Sequence, residues 1–448
     1  MSEDSASIRS AEQSTLSEIW TNPSHRRWIG WAVLAFAFLS VGLHRTSMGV
    51  LAETLVRTFE MSGAELGFLH SSFFYLYAAL QLPAGIFTDY VGSRKTAVYG
   101  TLAMSVGSVV FALSPSYAWA LAARALLGVG ASVLYLAILR FCANWFRANE
   151  FATLSGLTLT VGALGGILAT TPLAVAVSRI GWRGSLFGIG IAGILATVAV
   201  FLVVRNTPSD AGLSQIDGVP PAPTQSVADI KSNLAAVLRT PATWLLGVLL
   251  FCGIGIDYTI FGLWGIPYLV QSYGLTITRA STYVLVAGIG WVGGPVVFGV
   301  VSDRLETRMP LVLGAVLVIS TIWVTFAVVG TVALYVVGAL FFITRFMGGG
   351  GVLAFTVIKE QFNPSAAGTA MGAINSMGWF GAAVFPVLFG AVLDTFWTGN
   401  MINGARVYTE TGYRIGFALA AGASLLMVVC AFWTMRRLDD ESKSSGSE

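Results

Sequence analysis

The feature that most constrains this chain is a succession of apolar runs, each about 20 residues long, recurring from Trp28 to Met435. Such a run matches the hydrocarbon thickness of a bilayer, whereas soluble cores hold runs of roughly 10 to 14 residues. Charge is correspondingly scarce: 10% of the residues are charged and 55% hydrophobic, against about 25% charged in soluble proteins. Two architectures satisfy the backbone inside lipid, helices and closed barrels. Barrel strands would alternate polar and apolar residues over about ten positions. These runs are unbroken in Leu, Val, Ala and Phe, and the 51 glycines are scattered through them, where small residues let helices pack closely. An all-α membrane protein is expected.

Twelve spans are expected, at about 28–53, 63–87, 95–114, 117–142, 151–178 and 184–204, then 241–272, 280–301, 309–328, 331–358, 367–393 and 412–435. They divide the chain into a tail at 1–27, a six-helix bundle at 28–204, a linker at 205–240, a second bundle at 241–437 and a tail at 438–448. The linker carries Pro220, Pro221 and Pro223, and within it Val227 to Arg239 has the spacing of an amphipathic helix, suited to a membrane surface or to solvent. The segment before Ser24 is polar and mixed in charge, unlike a cleaved leader, and is expected to be a cytoplasmic tail. With the N-terminus inside, about 16 of the 25 Lys and Arg fall in cytoplasmic segments, about 6 outside and 3 within spans. Both termini are then cytoplasmic, in an inner or plasma membrane. The basic residues lie at helix ends rather than in one patch, so nucleic acid is not expected as a partner.

The chain also repeats itself. Gly85, Asp89, Arg94 and Lys95 after the second span are echoed by Gly299, Asp303, Arg304 and Arg308 after the eighth, at an offset of about 214 residues. The stretch from Phe146 to Gly156 is echoed by that from Phe362 to Gly372 at an offset of about 216. Two agreeing offsets imply two parallel six-helix halves related by an axis along the membrane normal.

The loop Gly85-x-x-x-Asp89-x-x-Gly92-x-Arg94-Lys95 resembles the signature between the second and third helices of the major facilitator superfamily. Arg124-x-x-x-Gly128-x-Gly130 in the fourth span is similar to another pattern of that family. The resemblance covers about residues 28 to 437, and it implies a secondary transporter working by alternating access. It also implies a gating role for Gly85, Asp89, Gly92, Arg94 and Lys95, with Gly299, Asp303 and Arg304 as the second copy. Gly92 suits a tight turn and Asp89 a charged helix end. Gly162, Gly165 and Gly166, with Pro172 beyond, loosely resemble an antiporter motif but lack its Gly-Pro pair, and close helix packing is the better expectation.

Ionisable residues deep in spans carry the functional expectation, because each costs about 2.5 to 3.5 kcal/mol to insert unless it faces a cavity or a partner. They are Arg45, Arg124, Asp257 and Arg345, in the first, fourth, seventh and tenth spans, which line the central cavity in the family resembled. Three cations and one anion imply an anionic solute, and guanidinium suits carboxylate or phosphate. Arg45 and Arg345 are expected to contact solute, with Tyr75, Tyr135, Tyr258, Gln81, Asn375 and Trp379 shaping the pocket. Tyr77, Trp264 and Trp291 are further aromatic candidates. The repeat offset carries Arg45 to within about two residues of Asp257, so these two are expected to face and pair. Asp257, Arg124 and His44 are the candidates for proton relay; His70 is a further titratable group. His44-Arg45-Thr46-Ser47 also resembles the first-helix arginine region of the organophosphate and organic-anion branches.

The expected function is proton-coupled movement of a small organic anion, or of a zwitterion bearing a carboxylate. Alternatives are a proton-linked exporter of drug-like or lipid-like molecules and a membrane sensor without transport. No nucleotide-binding, metallopeptidase or serine-hydrolase signature is present in the sequence, so neither an enzyme nor a cofactor is expected. Cys142, Cys252 and Cys430 are isolated and expected to be packing residues. The working unit is expected to be a monomer.

Overall fold

The computed structural model describes residues 22–219, 227–402 and 405–445. The three linker prolines and most of the N-terminal tail lie outside them. Among the described residues eleven helices are long and apolar enough to cross a membrane. Gly63–Val91, of 29 residues, packs among them as the twelfth; it carries His70, Ser71, Ser72 and Gln81 within its length. The order is that of two successive six-helix bundles. Thr171–Val203 is broken at Gly181, where φ is 73° and ψ 165°. Its first part, to residue 180, therefore prolongs the fifth span, Ala148–Leu168, and the remainder is the sixth.

Several spans are interrupted near their middles. The first runs as Pro23–Thr46 and Met48–Phe59, divided at Ser47. The seventh passes from Pro241–Thr259 through a five-residue π-helix, Ile260–Trp264, to Gly265–Tyr273. In the tenth, a 3-10 turn at Gly349–Gly351 separates Leu334–Gly348 from Val352–Glu360. Such local changes of winding free backbone groups and commonly mark functional positions. The expected linker helix is present at Val227–Arg239. It docks on the second bundle through the buried Val237, and Trp244 Nε1 donates to the Leu238 carbonyl at 2.8 Å. One element was not expected: an antiparallel hairpin, β1 (Trp397–Ile402) with β2 (Ala405–Tyr408), joining the eleventh span, Pro364–Thr395, to the twelfth, Glu410–Ser445.

Glycines set the closest helix contacts. A Cβ on Gly42 would collide with the Gly162 carbonyl, and one on Gly165 with the Leu39 carbonyl. The glycines of the fifth span thus seat it against the first, as expected for small-residue packing. The three cysteines are buried and free.

The two bundles touch at the end away from the termini and separate at the end that carries them. At the far end one continuous buried cluster joins Met48, Leu51, Leu55, Leu66 and Leu69 of the first half to the core of the second. At the near end Leu34, Phe38, Ile138, Phe141 and Trp145 belong to another cluster, which the second half meets through Ala382 and Ala383 and the partly buried Ile254, Tyr258 and Trp379. Backbones meet where they close: a Cβ on Gly67 would strike the Pro386 carbonyl, and one on Gly390 the Gly63 carbonyl.

The contact is also polar. Asp394, at the end of the eleventh span, accepts hydrogen bonds from the backbone N–H groups of Gly63 and Ala64, each at 2.8 Å. Glu65 N donates to Ser62 Oγ at 3.1 Å, so the first N–H groups of the second span are satisfied by one side chain of its own half and one of the other. A carboxylate at a helix N-terminus is favoured by the helix dipole as well. Arg406 of β2 holds Asp394 at 3.1 Å, and Gln271 ties the hairpin to the seventh span, donating to the Arg406 carbonyl at 3.0 Å and accepting from Tyr408 N at 3.1 Å.

Asp394→Ala removes this cross-bundle cap, whose charge-assisted bonds are worth on the order of 1.5 to 3 kcal/mol each before water compensates. The far end should open more often. In a background without the native cysteines, a cysteine at Val56, which lines a cavity of about 460 Å³ at that end, should react with maleimide roughly tenfold faster in detergent. An unchanged rate would show that the cap does not hold the bundles together.

Candidate functional site: a guanidinium between aromatic rings at the bundle interface

The four ionic residues of the mid-spans fall into three environments. Arg124 is fully enclosed on the fourth span, Tyr117–Trp145. Its Nη1 donates to the His44 carbonyl at 2.9 Å and its Nη2 to the His70 carbonyl at 3.5 Å, with the Phe73 ring 5.2 Å away. It ties together the backbones of the first, second and fourth spans, next to the break at Ser47. His44 itself is buried beside this tie, its Nδ1 enclosed without a hydrogen-bond partner. His70 reaches the other bundle: a Cβ on Gly262 would lie 3.3 Å from its Cε1 and Nε2.

Asp257 pairs with Arg345, not with Arg45 as the repeat offset implied. Arg345 Nε donates to Asp257 Oδ1 at 2.8 Å and Nη2 to Oδ2 at 2.5 Å, the bidentate fork that guanidinium geometry favours. The pair lies within the second bundle, with Phe261 at 4.9 Å and Trp291 at 5.5 Å from Arg345 Cζ. Equal depth on symmetry-related helices sets a height, not a direction, and Asp257 turns toward its neighbour on the tenth span.

Arg45 is thereby left without a carboxylate partner among the described residues. Its Cζ lies 4.5 Å from the Tyr77 ring and 4.2 Å from the Trp379 ring, one on each side of the bundle interface. Cation–π attraction places a guanidinium over a ring face and leaves the N–H edge for an in-plane acceptor. Arg45 Nε and Nη2 are enclosed and have no acceptor in this structure. Trp379 is held by a hydrogen bond from Nε1 to Asn375 Oδ1 at 3.1 Å, and it stacks on Phe74 with centroids 5.9 Å apart. Tyr258 completes the wall, 5.3 Å from Trp379 and 5.0 Å from Phe74. Gln81 Nε2, Ser71 Oγ and Ser376 Oγ are further enclosed polar atoms without partners, and such groups call for water or solute.

Of the expected pocket residues, Tyr258, Asn375 and Trp379 therefore gather with Arg45. Tyr135 packs within the first bundle, 5.5 Å from Phe38. Tyr75 does not join them; it lies beside Phe68, itself 42% exposed on the outer face. Tyr77, the other tyrosine candidate on this span, holds the contact with Arg45. Phe74, Tyr77 and Gln81 share one helical face at i, i+3 and i+7, and that spacing was the available signal.

The residues for which the resemblance implied gating occupy the separated end. Asp89 pairs with Arg140 of its own half at 3.1 Å. Gly85 and Gly299 have no atom within 4 Å of an added Cβ. Gly92 turns the chain at φ 87°, in contact with Asn206. Arg94 does not reach across either: it donates to the Phe201 carbonyl from Nε at 3.1 Å and Nη2 at 2.7 Å, capping the sixth span. Lys95 is exposed. In the second copy Asp303 pairs with Arg308 at 2.9 Å rather than with the exposed Arg304, and Arg308 also lies 3.6 Å from Glu360.

Asp257→Ala leaves a nearly buried guanidinium without its counter-ion, a loss of about 3 to 5 kcal/mol for pairs of this kind. Its thermal unfolding midpoint in detergent should fall well below wild type, and Asp257→Ala/Arg345→Met should regain most of the loss. Equal destabilisation of both variants would mean that the pair is not the source.

Comparison with known proteins extends what the geometry shows. Membrane sensor protein UhpC of Escherichia coli (strain K12) is 27% identical, over 90% of this chain and 90% of its own. The probable sulfoacetate transporter SauU of Cupriavidus necator is 24% identical, over 83% and 89%. The probable galactarate/D-glucarate transporter GudP of Bacillus subtilis (strain 168) is 23% identical, over 90% and 92%. Among solved structures, a bacterial homolog to the human lysosomal transporter Spinster, inward-facing and unoccupied, superposes with a TM-score of 0.74 at 17% identity, covering 91% of this chain and 95% of that one. The Major Facilitator Superfamily profile matches residues 31–386, and with the two-bundle fold in place this chain belongs to that family of membrane transporters.

Proposed function

We propose that the protein is a secondary transporter that moves a small organic anion, or a zwitterion bearing a carboxylate, by alternating access of its two bundles around Arg45. The observation that carries this reading is a guanidinium at the bundle interface, flanked by Tyr77 and Trp379, with enclosed N–H donors and no anionic partner among the described residues. A mid-span cation in that condition calls for a counter-ion, and a solute supplies one. Relatives named for sulfoacetate and for galactarate/D-glucarate transport, solutes with two acid groups each, support an organic anion in general. The excess of Lys and Arg at the separated end supports a cytoplasmic location for both termini. The conformation is then inward-facing, with the Asp394 cap closing the outer side. Anion binding brings Arg45 and Trp379 of opposite halves onto one ligand, and closing the inner end then moves the Asp89 and Asp303 loops together.

Proton coupling is assigned to Asp257. A proton taken up there breaks its fork with Arg345, so the charge of the central region changes when the proton enters or leaves. A second reading, a sensor that binds solute without moving it, is favoured by one observation, the 27% identity to a membrane sensor protein. Flux into proteoliposomes separates the two, since a sensor binds without flux.

Arg45→Lys keeps the charge but loses one of two parallel hydrogen bonds to a carboxylate, so anion affinity should fall roughly 10- to 100-fold in a thermal-shift titration. Unchanged affinity would remove Arg45 from the site. Asp257→Asn should abolish uptake driven by a pH gradient while solute exchange persists; if both keep the wild-type rate and pH dependence, the coupling proton resides elsewhere.

A further inference from the structure

If, as proposed above, Arg45 receives the anion, the disposition of the other ionic groups limits how much charge that anion carries. Arg124 is fully enclosed, and its Nη donors are turned to the carbonyls of His44 and His70. Arg345 is engaged on its forked edge by both oxygens of Asp257, at 2.8 and 2.5 Å. Its exposed fraction is small: the side chains of Arg345 and Asp257 are 9% and 14% accessible. Arg45 keeps two enclosed N–H donors without an acceptor, Nε and Nη2, and lies against Trp379 of the other bundle, whereas Arg124 keeps only its Nε; the walls around Arg45 are Phe74, Tyr77, Tyr258 and Trp379.

We infer that the site selects solutes with one anionic group, and that Asp257 is the specificity-determining residue, because its carboxylate occupies the guanidinium that a second anionic group on the solute would need. A monoanion places its carboxylate or sulfonate on Arg45 and leaves the Asp257–Arg345 fork intact. A dianion brings a second charge between aromatic walls, where it must either displace Asp257 or remain unpaired. With Asp257 ionised, each alternative leaves a carboxylate stripped of water without a cation, the costly arrangement for buried charge. Hydroxyl groups on the solute meet no such obstacle, since Gln81 Nε2, on the helical face of Tyr77, is enclosed and unpartnered. The favoured class is a hydroxylated or short-chain monocarboxylate or monosulfonate.

Matched pairs of probes test this on the purified full-length protein at one neutral pH: D-gluconate against D-glucarate, which share a six-carbon polyol chain, and butyrate against succinate. Wild type should bind the monoanion of at least one pair about tenfold or more tighter than its dianion. Asp257→Asn frees Arg345 and should erase or reverse that ratio. Asp257→Asn/Arg345→Gln removes both charges, so the pocket should again prefer the monoanion, and this balanced variant guards against a single substitution that folds poorly. A wild-type protein that binds the dianions as tightly as the monoanions, or a ratio unchanged in Asp257→Asn, would overturn the inference. Binding of none of the four anions would instead count against the anion site itself.

Discussion

The fork between Asp257 and Arg345 fixes the electrostatics on which the central region depends. Four ionic side chains sit at depths where an unpaired charge is costly, and only one of them is an anion. Which cation that anion takes decides which cation remains. Because the seventh and tenth spans belong to one bundle, Asp257 reaches Arg345 without crossing the interface. Arg124 turns both Nη groups to backbone carbonyls of the first bundle and keeps only its Nε without a partner. Arg45 is left at the boundary, where two aromatic rings supply attraction to its faces but no charge to its edge.

Closure at the far end rests on a different principle. Apolar contact between helices gains little in lipid, where tails are as apolar as side chains, so specific backbone approach and hydrogen bonding must hold the bundles together. Gly63, Gly67 and Gly390 allow the second and eleventh spans to meet backbone to backbone, and Asp394 converts the unsatisfied N-terminus of one helix into a bond with the other half. Asp394 is in turn held by Arg406 and approached by Tyr408 at 3.5 Å, both on the hairpin. At the separated end, Asp89, Arg94 and Asp303 are occupied within their own halves, which lets the bundles part there without leaving these charges unpaired.

Much of this was legible in the sequence, and the losses are instructive. Apolar run length and the repeat gave the two-bundle helical fold, because a span is a local property and a repeat needs no structure to be seen. The four mid-span charges were legible for the same reason: each is an exception to its own surroundings. Their pairing was not. Asp257 and Arg345 lie 88 residues apart, and helical phase relative to a neighbouring helix is set by packing, not by depth. Tyr75 and Tyr77 differ by two positions, about 200° around a helix, so choosing the inward one required the face shared by Phe74, Tyr77 and Gln81. The Asp394 cap had no local signature, since its acceptors and donors come from opposite halves. The linker helix at Val227–Arg239 was visible by its spacing, but its docking through Val237 was not, since an amphipathic face reads alike whether it meets lipid or protein.

The central claim is that a solute anion takes the place opposite Arg45 that no side chain among the described residues fills. An experimental structure with bound D-gluconate, or with whichever monoanion binds most tightly, tests it most directly. The carboxylate should lie in the plane of the Arg45 guanidinium, between Tyr77 and Trp379, with the Asp257–Arg345 fork unbroken. A solute whose anionic group lies on Arg345 with Asp257 displaced, or which binds away from Arg45 altogether, would contradict it.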